Sequence, residues 1–250
     1  MIQIKDLQGI YKDKPIFCVG SGPSIHFIEK NLLLKIKNYP IICANSAILK
    51  FADLGCKNLY FLSDDIAVKN WSYYKIELPK IDCTYLLFED KLKDNIKHLD
   101  KNKVCLFKHK SWYSPEKNYY SPDGLVMTKN EPIIGSRTSL GSIIHIAYIM
   151  GGNPILLGCD CCFHKNKRYF WQFEGEKKAY RLDGQQVFNY PNKGVKDGSP
   201  VDDHSLAFLE YWEALSKQLK KQNISVINCS GGILKCFNKM GLKEVLEKYG

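Results

Sequence analysis

The sequence predicts an α/β fold: a Rossmann-like, mostly parallel twisted sheet with helices on both faces and a lid-like insertion. Three features carry that expectation. Short apolar runs rich in β-branched and aromatic residues alternate with amphipathic stretches, the pattern of strands linked by covering helices. The first apolar run ends in Gly20-Ser21-Gly22-Pro23-Ser24, where a strand hands over to a helix. Asn45, Asp64, Asp65 and Asp160 close other apolar runs, and in open α/β sheets ligands lie beyond the carboxyl ends of the strands.

Residues 15–20 (PIFCVG) form the first expected strand and 23–37 the first helix, with Ile25, Ile28, Leu32, Leu33 and Ile36 at helical spacing. A strand over 40–45 (PIICAN) and a short helix over 46–54, stopped by Gly55, come next. NLYFLSD (58–64), CTYLLF (83–88) and KVCLFK (103–108) read as three more strands, with a helix over 89–99 between the last two. Residues 109–136 contain Trp112, Tyr113, Tyr119, Tyr120 and three prolines without a clean period, and read as a long aromatic loop. Helical order returns over 138–152, with Thr138 or Ser139 as N-cap and Gly151-Gly152 as stop. NPILLGCD (153–160) is a strand, and 161–201 is a polar, aromatic, irregular insertion long enough to close as a lid. The clearest amphipathic helix spans 202–222, with Asp202 or Asp203 as cap, followed by a last strand over 224–230 and a closing helix over 242–249. No repeat and no break in composition divides the chain, so 1–250 is expected to be a single α/β nucleotide-binding domain carrying the 161–201 insertion.

The composition narrows the class. With 250 residues and 45% hydrophobic content, the chain has ample material for a core. No apolar run approaches the ~20 residues that cross a bilayer, and the N-terminus lacks the apolar centre of a signal peptide, so a cytoplasmic protein is expected. The ten cysteines are scattered through apolar segments and read as buried thiols rather than a disulfide framework. The net charge of +10 favours phosphate-bearing partners, but its lysines are spread along the chain rather than gathered into a basic tract.

Several residue types bear on chemistry. Gly20 and Gly22 would let the backbone approach a ligand, Pro23 suits a first helical position, and Ser21 and Ser24 add hydroxyls, so a phosphate could rest on amides at the helix start. A tight strand–helix turn without a ligand has the same signature, since the bend is neither a P-loop nor a full dinucleotide fingerprint. Arg137 precedes a helix start rich in hydroxyls (Thr138, Ser139, Ser142) and could neutralise a leaving phosphate, or could simply be solvated. His204 opens the amphipathic helix beside Asp202 and Asp203, where a neutral imidazole could take a proton from an acceptor hydroxyl. His145 reads as a core residue, and His26, His98 and His109 as surface residues. Cys159, Cys161, Cys162 and His164 are too crowded for a tetrahedral zinc site, and no bound metal is expected.

The motifs GSGPS (20–24), CANSAI (43–48), FLSDD (61–65), SRTSLGSIIHIAYIMGGNPILLGCD (136–160) and HSLAFLEYWEAL (204–215) resemble two related groups. One is the bacterial lipooligosaccharide sialyltransferases, which use CMP-activated nonulosonic acids. The other is the hydroxymethylpterin diphosphokinase-like proteins, which take in motility accessory factors linked to flagellin glycosylation. The sialyltransferase resemblance implies that residues 20–24 and Asn45 contact the nucleotide and that Asp64 lies near the donor. It places Arg137 on the donor side and Ser139 at the group's small-residue helix start, and makes His204 the general base; Ser139, Gly158 and Asp160, the last two at the end of the 153–160 strand, are further donor-binding candidates. Of the tyrosines that group uses on the leaving phosphate, Tyr169 is the nearest equivalent.

The leading expectation is a metal-independent glycosyltransferase moving a sugar from a nucleotide-activated donor, CMP-linked in the resemblance, to a glycan, lipid-linked or other hydroxyl acceptor. Peripheral membrane association and homo-oligomerisation are open under this reading. An alternative is a Mg²⁺-dependent diphosphokinase-like enzyme whose metal is held by Asp64, Asp65 and Asp160. A third is a non-catalytic module binding nucleotide or nucleic acid through its basic charge.

Overall fold

All five residues of Pro15–Val19 (β1) and of Pro40–Ala44 (β2) are buried, which is why these runs are apolar throughout rather than alternating: a parallel sheet is covered on both faces. The computed structural model of the chain describes residues 1–111, 113–114, 119–120, 126–135, 139–174, 194–196, 199–201 and 203–249. Six further strands join β1 and β2: Asn58–Ser63 (β3), Thr84–Phe88 (β4), Val104–Phe107 (β5), Asn153–Leu157 (β6), Ile227–Asn228 (β7) and Asn238–Lys239 (β8). They form one parallel sheet in the order β8-β7-β6-β1-β2-β3-β4-β5. The chain builds outward from β1 to β5, then returns to the other side of β1 with β6. The order therefore reverses between β6 and β1, and this reversal is where such sheets open a crevice at their carboxyl edge.

The helices are Lys30–Lys35 (α1), Ala47–Asp53 (α2), Ser72–Ile76 (α3), Glu89–Leu92 (α4), Ser139–Ile149 (α5), Asp203–Lys221 (α6) and Leu242–Tyr249 (α7). Side chains alternate along the strands between two cores. Ile16 and Cys18 of β1 pack with Ile143 and Ile144 of α5 and with Tyr211, Trp212 and Leu215 of α6. Phe17 and Val19 pack on the other side with Leu33 of α1, Ile48 and Phe51 of α2 and Val245 of α7. Both α5 and α6 lead into parallel strands, so each runs against them and begins at the carboxyl edge.

His145 lies inside the first core, as the sequence suggests. Its Nδ1 accepts from the Ile134 amide (2.8 Å) and its Nε2 donates to the Thr128 carbonyl (2.7 Å). Burial lowers its pKa to about 4, so the ring serves as a neutral brace between α5 and the segment before it. Seven of the ten cysteines are buried and all ten are free thiols.

Some elements differ from expectation. The helix expected over 23–37 splits into a 3₁₀ turn, Pro23–Phe27, and the six-residue α1, because Ile28 and Glu29 are extended (ψ 130° and 132°). The helix expected over 89–99 closes at Leu92 and continues only as a 3₁₀ turn, Lys93–Asn95, although Ile96 and Leu99 are buried as their spacing suggests. Within 109–136, His109–Ser111 and Ile133–Gly135 form a short parallel pair. The stretch 65–82 carries the turn Ile66–Asn70, α3 and the turn Leu78–Lys80, whose Val68, Tyr73, Tyr74 and Leu78 fill the second core.

Candidate functional site

The bend after β1 and the turn after β6 meet at the sheet's reversal, and their contacts revise the simplest reading of Gly20–Ser24. The amides of Gly20 and Gly22 donate to the carbonyls of Leu157 (2.8 Å) and Gly158 (2.7 Å). The Ser24 amide donates to Asp160 Oδ2 (2.8 Å). Amides expected to face a ligand are thus filled by this chain, and the anion seated in the bend is Asp160. Since only a 3₁₀ turn follows, little helix dipole is added. The glycines have another purpose: a Cβ at Gly20 would lie 2.5 Å from the Gly158 oxygen, and one at Gly22 2.2 Å from Asp160 Oδ2. They let the two loops interlock, with Gly158 supplying the left-handed turn (φ 63°). Pro23 is buried at the first position of the turn.

Asp160 is 2% exposed. Burial pushes its carboxyl above the ordinary range, opposed by the Ser24 amide that donates to it and by the Lys239 ammonium.

One strand over, the crevice keeps capacity for a ligand. Ser21 Oγ donates to the Ala44 carbonyl at the end of β2 (3.4 Å). Asn45 follows in the left-handed region (φ 49°), and its amide oxygen is buried with no hydrogen-bond partner among the described residues. A shielded acceptor without a donor costs free energy that a bound N–H or O–H would recover.

A second cluster lies past β3. Ser139 Oγ and Ser142 Oγ, in the first turn of α5, donate to Asp64 Oδ1 (2.6 Å) and Oδ2 (3.0 Å), fixing both oxygens of one carboxylate. Lys91 Nζ donates to the Asp64 carbonyl (3.3 Å). The sequence reading missed His109. It is not a surface residue: its ring lies 5.0 Å from that of Phe88 and its Nε2 is buried against Gly135. Burial lowers its pKa, while the Asp64 carboxylate pulls it upward and Lys91 downward. The strand-end rule would have found it, since His109 stands two residues beyond β5.

The three acids expected to share Mg²⁺ do not converge. Asp65 Oδ1 accepts from the Ala67 amide (2.8 Å) and caps the turn Ile66–Asn70. Asp160 is inside the bend. The ends of β3 and β6 are separated by β1 and β2, roughly 14 Å at ~4.8 Å per strand spacing. Asp64 is gripped through both carboxylate oxygens by the first turn of α5. Among the described residues no group of three or more His, Cys, Asp or Glu is arranged to hold a metal ion.

Tyr169 lies near the bend, stacked on Trp171 (5.0 Å, 8°), and the next residue, Phe170, donates its amide to the Ser21 carbonyl (3.1 Å). Phe170 and Trp171 enter the second core, so the opening part of the 161–201 insertion is anchored beside the bend. His204 is in the first turn of α6. Val201, three residues earlier, packs with Cys162 and Ile233, which brings the start of α6 to the turn after β6. The His204 side chain and all of Arg137 lie outside the described residues. The candidates thus gather into a bend-and-crevice group (Gly20 to Ser24, Asn45, Gly158, Asp160) and an Asp64–Ser139 group two strands away. No helix among the described residues is long and apolar enough to cross a membrane.

Comparison with known proteins matches this architecture. A solved structure, the MAf glycosyltransferase from Magnetospirillum magneticum AMB-1, aligns with 94% of this chain at a TM-score of 0.50 and 16% identity, a likeness of fold. The chain spans 35% of that protein's length. No curated protein matches the chain. Residues 1–166, about two thirds of the sequence and all the elements from β1 to the turn holding Asp160, match the family described as 6-hydroxymethylpterin diphosphokinase MptE-like. The chain belongs to that family.

Proposed function

We propose that the protein is a nucleotide-sugar-dependent glycosyltransferase whose donor lies across the carboxyl ends of β1 and β2. The observation that carries this reading is the unpartnered, buried amide oxygen of Asn45 at the sheet's reversal, where a ribose hydroxyl or a base N–H would complete its hydrogen bonding. The fold likeness to a glycosyltransferase supports the reaction class.

Because Gly158 and Asp160 fill the bend, the donor phosphate is held in this reading by side chains: Ser21 and Ser24 at the bend, and Arg137, Tyr169 and Ser139 around it. His204 accepts the acceptor hydroxyl's proton as the anomeric carbon–oxygen bond breaks, and Arg137 and Tyr169 neutralise the phosphate as it departs. CMP is the nucleotide that the resemblance to the lipooligosaccharide sialyltransferases implies.

A diphosphokinase-like reading is supported by the family match itself and by the Asp64 carboxylate oriented by two serine hydroxyls, in the manner of a carboxylate prepared for a cation. Thermal shifts with CMP, CDP, UDP, GDP and ATP, each with and without Mg²⁺, separate the two readings, since a ligand that prefers the native state raises the melting point. A magnesium-independent response to CMP is expected. A response confined to ATP with Mg²⁺ would replace the leading reading with the second.

A further inference from the structure

We propose that the aromatic, cationic face formed by residues 26–27 and 164–173 is a subsite for an acidic sugar of the acceptor, one bearing a carboxylate or a phosphate. The inference rests on the glycosyltransferase reading and names the acceptor class. His26 stacks on Phe173 (4.9 Å, 17°), and Phe27 meets Phe173 (5.3 Å) and His164 (4.7 Å) edge to face. Phe27 is 52% exposed, although Pro23 and Ile25 of the same turn are buried. The open ring is held in place by its aromatic neighbours.

The face is positively charged. A tight reversal through Lys165 and Asn166 (φ 47° and 59°) is closed by paired backbone bonds between His164 and Lys167 (2.9 Å each); it leaves Lys165 exposed at its tip, while Lys167 Nζ donates to the Gln172 carbonyl (2.7 Å). Lys167 Nζ lies 4.5 Å from the centre of Phe173, and Arg168 follows. The nearby acid, Glu174, is engaged by Lys50 and by His26 (3.6 Å).

A pyranose offers an apolar C–H face and a rim of hydroxyls. Exposed rings take the first, and imidazole edges take the second. Lysines select an anion by charge complementarity. A bilayer fits less well, because burying two imidazole edges in acyl chains strips their water without supplying partners. The face also has the right position: the Phe170 amide bond to Ser21 ties it to the lip of the crevice.

The test uses the full chain and saturation-transfer NMR with 3′-sialyllactose, glucose 6-phosphate, lactose and inorganic phosphate. Both acidic sugars should bind about tenfold more tightly than lactose, with saturation reaching them from aromatic protons. Phe27→Ala and Lys165→Gln should each weaken them about fivefold or more at an unchanged melting point. Equal binding of lactose and 3′-sialyllactose overturns the proposal, as does full affinity in Phe27→Ala. Inorganic phosphate binding as tightly as glucose 6-phosphate, or preference for anionic vesicles over both sugars, also overturns it. Nucleotide binding is read separately: acidic sugars bound without any nucleotide response would remove the transferase reading and leave a sugar site, and the converse would remove only the subsite.

Discussion

The carboxylate of Asp160 accepts the amide proton of Ser24 at 2.8 Å, across 136 residues of chain. This contact seats an internal anion in the bend that the sequence offers to a phosphate. Because burial raises the Asp160 pKa, its contribution to stability is full below the ordinary carboxylate range and is lost as pH rises through the elevated folded value. Asp160→Asn should therefore gain relative to the native protein between a pH below the ordinary carboxylate range and one well above it. Asp160→Ala, which strands the Ser24 amide, should cost about 1–3 kcal/mol. Urea unfolding at the two pH values measures both, and an Asn variant with an unchanged pH dependence would show that Asp160 is not the titrating group.

Gly22→Ala should destabilise the fold by about 1–3 kcal/mol through steric overlap alone, since its φ of −66° suits any residue. The added carbon meets both the Asp160 carboxylate and the Gly158 carbonyl oxygen (2.5 Å). Combining it with Asp160→Gly should not restore the melting temperature, because the backbone overlap remains.

His145, with a pKa of about 4 in the folded state, should produce acid lability. The stabilisation is complete above the unfolded value near 6.5 and is lost as pH falls from there through about 4, a change on the order of 3 kcal/mol. His145→Leu should flatten that part of the urea-midpoint profile while lowering stability at pH 7, where the Ile134 amide loses its acceptor.

The Asp64 carboxylate supports the protonated form of His109 against burial and Lys91. In Asp64→Asn the His109 pKa should fall further, as read by the titration of its ring protons in NMR. An unchanged or raised value would mean that the two groups do not interact.

Under the glycosyltransferase reading, His204→Ala should lower turnover by about 10²–10⁴ while nucleotide thermal shifts remain. Full activity on an identified acceptor would dispose of the base assignment.

What the sequence made legible is local or periodic. Two-sided burial writes β1 to β6 as apolar runs, α5 and α6 follow from helical spacing, and the strand-end rule reached Asp64, Asn45 and Asp160. His145 was legible as core because it sits among Ile and Ala in a helix. The helix over 23–37 was misread because its spacing is helical while the Ile28-Glu29 backbone is extended.

Partnership was not legible. Asp64, Asp65 and Asp160 look alike in sequence, yet the first is gripped by α5, the second caps its own turn, and the third fills the bend. His109 looked like a surface residue because β4 and Gly135, which cover it, come from distant parts of the chain. The sequence determined the strands, the main helices and the rim that carries the polar residues, because periodicity and strand ends are properties of neighbouring residues. Tertiary structure alone decided which anion fills which group of donors, because a hydrogen bond is made by whichever donor and acceptor the packed sheet brings within 3 Å.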